Sequence, residues 1–167
     1  GYTARADATN AVAIGTYTAA GTDSNAMGNG ADATQTNTIA IGKYAYAGVE
    51  SINIGTSTVK GNDSNLTGAF RRGSTLIGNE AMGQGLYTTI IGNHSQVLAN
   101  ERVLATGLLG RQFVAQNAFT NILGAYNTVG DTSTTKTYNG VAVTVVGAAN
   151  KVKESNGALV AGYGNSV

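Results

Sequence analysis

Short apolar segments, each closed by a glycine, recur along the whole chain and set its periodicity. Written to the closing residue, the copies read AVAIG, SNAMG, TIAIG, SINIG, SNLTG, STLIG, TTIIG, LATG, TNILG, TVVG and LVAG. Their glycines are Gly15, Gly28, Gly42, Gly55, Gly68, Gly78, Gly92, Gly107, Gly124, Gly147 and Gly162. The spacings are 13, 14, 13 and 13, then 10, 14, 15, 17, 23 and 15. The first half is regular and the second carries insertions. The residue before the glycine is apolar in nine of eleven copies, and the one before that in ten. Four places before it stands Ser24, Thr38, Ser51, Ser64, Ser74, Thr88 or Thr120.

No stretch sustains a helical period, and glycine interrupts every dozen residues. Short β-branched runs bounded by Gly, Asn and Asp predict strands instead. A second β-prone stretch follows most glycines, as at 17–20, 31–33, 44–47, 57–59 and 95–98. Each repeat therefore predicts two short strands and two turns, one flattened coil of a parallel β-solenoid. The closing glycine supplies either a positive φ or a corner without Cβ. Eleven coils stacked about 4.8 Å apart would form a rod of roughly 50 Å.

Alternate residues of a strand point to opposite faces, yet both residues before the glycine are apolar in eight copies. One face fills the coil. The other predicts an apolar column along the rod, which self-association about the rod axis would cover. A monomer with tolerated surface alanines is the alternative. The second strands are more polar and are expected to face solvent.

Composition narrows the function. The 167 residues include 24 Gly, no Pro, Cys or Trp, and 11% charged residues. Without Cys, and with His94 as the only histidine, disulfides, thiolate sites and a multi-histidine metal site within one chain are excluded. A net charge of +1 provides no overall footprint for nucleic acid. No apolar run is long enough to span a bilayer as a helix, and no signal peptide is visible. The carboxylates are scattered singly, so no acid–base pair is expected, and neither catalysis nor a cofactor.

Candidate binding residues lie where the repeat breaks. The 23-residue spacing contains Asn139-Gly140 between β-prone stretches, which predicts a hairpin over 131–142. Lys136, Tyr138 and Asn139 are its candidate ligand contacts; a tolerated loop or an interchain contact is the alternative. Arg71 and Arg72 fit an acidic partner, or a pair with Glu80, Glu101 or a neighbouring chain. Tyrosines 17, 44, 46, 87, 126, 138 and 163 fit an adhesive surface or ordinary sheet positions.

The elements Asn10-Ala11-Val12-Ala13-Ile14-Gly15, Thr38-Ile39-Ala40-Ile41-Gly42 followed by Ala45-Tyr46-Ala47, and Ser51-Ile52-Asn53-Ile54-Gly55 resemble the head repeats of YadA-like trimeric autotransporter adhesins. The likeness is strongest over residues 10–92. It implies an all-β, left-handed parallel β-roll assembled as a homotrimer, here a single head domain over 1–167. It implies a non-catalytic adhesin at the bacterial cell surface, concerned with virulence. Its partners would be host extracellular-matrix proteins or host or bacterial cell-surface receptors. A stalk and an outer-membrane anchor would lie outside this chain. The alternative is a purely structural spacer, such as a phage-fibre segment. An ice-binding solenoid would need a regular Thr array, and an acyltransferase solenoid a hexapeptide period; neither pattern is present.

Overall fold

In the computed structural model, residues 1–56, 59–60, 73–99, 105–106, 112–113 and 116–167 are described, the pairs 59–60, 105–106 and 112–113 by their backbone. All regular structure among them is β. The apolar segment of each repeat supplies one strand of a nine-stranded parallel wall. Its strands, in spatial and chain order, are Val12–Ile14, Asn25–Met27, Ile39–Ile41, Ile52–Ile54, Thr75–Ile77, Thr89–Ile91, Asn121–Leu123, Thr144–Ala148 and Leu159–Tyr163. The second stretches form the opposing wall in two parallel stacks. The first is Arg5–Ala6, Ala19–Ala20 and Asp32–Ala33, continued by a bridge from Asp32 to Tyr46. The second is Val59–Lys60, Met82–Gly83, Gln96–Leu98, Thr128–Gly130 and Lys151–Val152. The chain is a parallel β-roll, as the repeat predicts.

Neighbouring rungs hold one another through backbone bonds. The Ile39 N–H donates to Ser51 O at 3.0 Å, and the Thr89 N–H to Thr120 O at 2.8 Å. Proline lacks that donor, and its absence from the sequence suits a chain whose N–H groups are engaged rung to rung.

Among the described residues this wall has nine rungs, where the repeat predicts eleven coils. Ile52–Ile54 pairs directly with Thr75–Ile77, and Thr89–Ile91 with Asn121–Leu123. The intervening copies add nothing to this wall; Gly68 and Gly107 themselves lie outside the described residues. Ten residues between Gly68 and Gly78 are too few for two strands and two turns. In the other copy, Ala105–Thr106 pairs antiparallel with Gln112–Phe113, a local pairing that a short connection favours. Nine rungs span about 38 Å.

Three residues per rung set its shape. The closing glycine has a strongly positive φ, +128° at Gly42. A Cβ on Gly42 would collide with the carbonyl of Gly55 in the next rung. Both alternatives read from the sequence, backbone conformation and close approach, thus hold together. Two further corners are left-handed, two residues after and five before that glycine. They are occupied by Tyr17, Tyr44, Glu80, His94 and Tyr126 on one side, and by Asp23, Glu50, Tyr87, Phe119 and Ala142 on the other.

The residue two places before the closing glycine of each first-wall strand points inward. Ala26 and Ala40 pack with Ala20, Ala31, Ala33, Ala45 and Ala47 into an alanine core. Farther along, Leu76, Ile90, Ile122, Val145 and Val160 meet Val97, Val129 and Val152. Asn53, buried between the two in sequence, donates its Nδ2 to Tyr46 O. Each large aliphatic side chain so buried contributes about 1.5–3 kcal/mol. The Ser/Thr column runs up one inner corner as a hydroxyl ladder, with Thr38 Oγ1 3.0 Å from Ser24 Oγ and Thr88 Oγ1 3.1 Å from Ser74 Oγ. At the C-terminal end an asparagine ladder joins Asn127, Asn150 and Asn165 at 2.8–3.0 Å.

Residues 131–142 contain no strand, so the expected hairpin is replaced by a loop folded back on the roll. A type I′ turn needs positive φ at both central residues; Gly140 has it at +67° and Asn139 does not. The loop's backbone finds partners on neighbouring rungs instead. Gln116 Nε2 donates to Thr134 O at 3.2 Å and to Lys136 O at 2.7 Å. The Asn117 N–H donates to Asn139 O at 2.7 Å, and the Val141 N–H to Asn156 Oδ1 at 2.9 Å.

Candidate functional site

The roll presents two unlike outer walls. On the first, the residue before each closing glycine points outward: Ile14, Met27, Ile77, Ile91, Leu123 and Val146 are 38–54% exposed in the single chain. This is the apolar column that the lack of alternation predicts. Its rigidity comes from the parallel register, which stacks one apolar side chain on the next at every rung.

The second wall is polar. The strand period turns Gln96, Thr128 and Lys151 outward in one register column while Val97, Val129 and Val152 point inward. Gln96 Nε2 donates to Thr128 Oγ1 at 3.2 Å. A shallow groove of about 280 Å³ lies here, lined by Gln96, Leu98, Thr128, Thr132, Lys151 and Lys153. The loop 131–142 forms its rim. Asp131 Oδ2 accepts from Lys153 Nζ at 2.8 Å, and Asp131 Oδ1 from the Ser133 N–H and hydroxyl at 2.7 Å each. The Lys153 bond, then those from Ser133, hold the Asp131 carboxyl well below the usual carboxylate range. The same Asp131 bond raises Lys153 above its ordinary value.

The candidate loop residues separate in space. Lys136 Nζ donates to Glu154 Oε2 at 2.6 Å on the surface. The Tyr138 ring is 60% exposed. Asn139 is buried at 2% exposure, so its side chain serves the loop's seat on the roll and not its outer face. Arg71, Arg72 and Glu101 lie outside the described residues. Sequence reading passed over Lys151, Thr128 and Lys153. The alternation Lys151-Val152-Lys153 was the available signal, with Lys151 in the strand, Lys153 directly after it, and both exposed around the buried Val152.

Tyr17, Tyr44 and Tyr126 occupy one left-handed corner and Tyr87 and Phe119 the other. Tyr87 lies on Phe119 with centroids 5.4 Å apart, and Tyr2 meets Tyr17 edge-on at 5.8 Å. His94 stacks on Tyr126 at 4.9 Å while its Nδ1 lies 2.7 Å from Glu80 Oε2. These contacts place His94 and Glu80 together as an element of one corner. Among the described residues, no three His, Asp or Glu side chains group as a metal site requires.

The fold and these surfaces define a class: a parallel β-roll that displays an apolar wall, a polar wall and, beside the latter, the loop 131–142. Residues 1–18 and 19–45 match the model of the YadA head domain repeat, in two copies. The match spans residues 1–45 and supports a YadA-like head domain, a family that implies an adhesin-type function generally. Heads of this type are trimeric adhesins exposed at the cell surface. The chain has no significant match among curated proteins or among solved structures.

Proposed function

We propose that this chain is the non-catalytic head of a homotrimeric bacterial surface adhesin that captures host extracellular-matrix protein or a cell-surface receptor. The observation that carries the reading is the apolar column from Ile14 to Val146 on the first wall. An exposed stripe of that length is unusual on a soluble monomer, and copies of the chain packed around one axis would bury it. A left-handed coil, a role in virulence, and a stalk with an outer-membrane anchor outside this chain belong to the same reading. Three copies would multiply weak contacts into useful avidity.

Sedimentation of the purified chain tests the assembly, with three times the mass of 16.8 kDa expected. Capture of immobilised collagen, fibronectin or laminin, or of intact cells, tests the activity. A trimer that coats a surface and captures none of these would overturn the adhesin in favour of a structural spacer.

A further inference from the structure

The outward face of the first wall carries two register columns. The column directly before the closing glycines is apolar at rung after rung, through Ile14, Met27, Ile41, Ile54, Ile77 and Ile91. The column two places earlier begins with Val12, Asn25, Ile39 and Ile52. Asn25 is the one amide among these four, stacked between Val12 on one side and Ile39 on the other. From the next rung this column turns polar, through Thr75, Thr89, Asn121 and Thr144. The Asn25 side chain is half-buried in the single chain and, among the described residues, has no hydrogen-bond partner.

A uniform apolar column leaves register open. Rungs repeat about every 4.8 Å, so sliding one copy along another by one rung sets apolar side chains against apolar side chains again. The contact is nearly indifferent to slip. Pure rotation about an axis keeps identical residues at one height and closes the ring. A slipped contact carries a rise, does not close, and grows into an open filament.

We propose that Asn25 sets the register of the assembly, its partner being Asn25 of the next copy of this chain. In a closed trimer the three Asn25 side chains stand at one height. Each offers an Nδ2 donor and an Oδ1 acceptor, so each donates to the next copy and accepts from the one before. A slip of one rung, in either direction, sets the amide against Val12 or Ile39 of the neighbour, which neither donate nor accept through their side chains. A buried amide left unpaired is costly, and the closed arrangement avoids it. A single buried asparagine fixes the register of coiled coils on the same principle. Asn121 lacks this leverage, because Thr89 and Thr144 flank it and a slip there leaves a hydroxyl in reach. The inference rests on the trimer of the adhesin reading; heads of the family matched over residues 1–45 are trimeric, which makes a second copy the occupant of this wall.

Sedimentation velocity and electron microscopy of the full chain test it. The parent is expected to run as one species of three chains. N25V and N25A should each raise the share of material above trimer mass about tenfold, as filaments that lengthen with concentration. N25T, shaped like valine but able to donate and accept, should remain a uniform trimer, and so should N121V. Circular dichroism checks that each variant keeps its strands; should N25V lose them, N25A decides. A uniform trimer from the folded apolar variants, or filaments formed as readily by N25T or N121V, overturns the inference and leaves the trimer standing. A parent that sediments as single chains overturns the trimer and this inference together.

Discussion

The side chain of Leu76 fills the space that a Cβ on Gly83 would need, directly across the lumen. A Cβ there would lie 3.1 Å from Leu76 Cδ2 and 2.9 Å from Thr88 Oγ1. Here the lining changes from alanine to larger residues, and the opposing wall yields a side chain to admit the first of them.

The pair should behave as a unit. Leu76→Ala is expected to cost about 2–5 kcal/mol by leaving a cavity, and Gly83→Ala about 1–3 kcal/mol by overpacking. Combined, they should cost less than the sum, because the added methyl enters the space that leucine leaves. Denaturant titration of the four proteins measures the coupling; strict additivity would refute the packing account.

The closing glycines should tolerate nothing larger. Gly42→Ala forces a side chain into a positive φ and against the Gly55 carbonyl. A loss of about 3 kcal/mol or more is expected, through backbone strain and overpacking together. Thermal melts check this, with Thr16→Ala on the outer turn as a nearly neutral comparison.

Removing Thr132–Val141 should leave the roll folded, since the rungs at Asn121–Leu123 and Thr144–Ala148 pair without it. The deletion removes the loop's bonds to Gln116 and Asn117, so a lower melting temperature with unchanged strand content is expected. Loss of ligand capture would place binding at this loop, and retained capture would exclude it.

The Asp131–Lys153 bridge predicts a pH dependence. Asp131 is held below its ordinary value of 3.8, so its contribution is present above that value and fades as pH falls below it. Lys153 is raised above 10.5, so its contribution is present below that value and is lost as pH rises past it. Asp131→Asn should therefore lower the melting temperature at neutral pH. The difference should shrink in acid, and an equal difference at both ends would contradict it.

Replacing Ile77 and Ile91 together by Asp places charge on the exposed apolar column without touching the lumen. The expected outcome is a folded single chain in sedimentation, where the proposed assembly of the parent protein is a trimer. An unchanged mass would show that this wall is not the contact surface.

Much of the fold was legible because each rung repeats one local pattern. An apolar pair before glycine, a hydroxyl four places before it in most copies and turn residues between them fix strand, corner and inner face by short-range sterics and the two-residue period. The apolar column followed from the same alternation, at Ile14, Ile77 and Ile91 as expected.

What the sequence could not decide was which copies stack. SNLTG and LATG carry the pattern at Gly68 and Gly107, yet the wall passes over both, because a rung exists only where the neighbouring rungs present partners in register. Nor could Asn139-Gly140 be read locally: Gln116 and Asn117, distant in the chain, capture the loop's backbone and override its turn chemistry. The sequence by itself determined the coil and its inward and outward faces, since these rest on local backbone sterics. Only the tertiary structure decided which of the described segments stack in register and how the 131–142 loop folds back on the roll, since those depend on pairing between residues far apart in the chain.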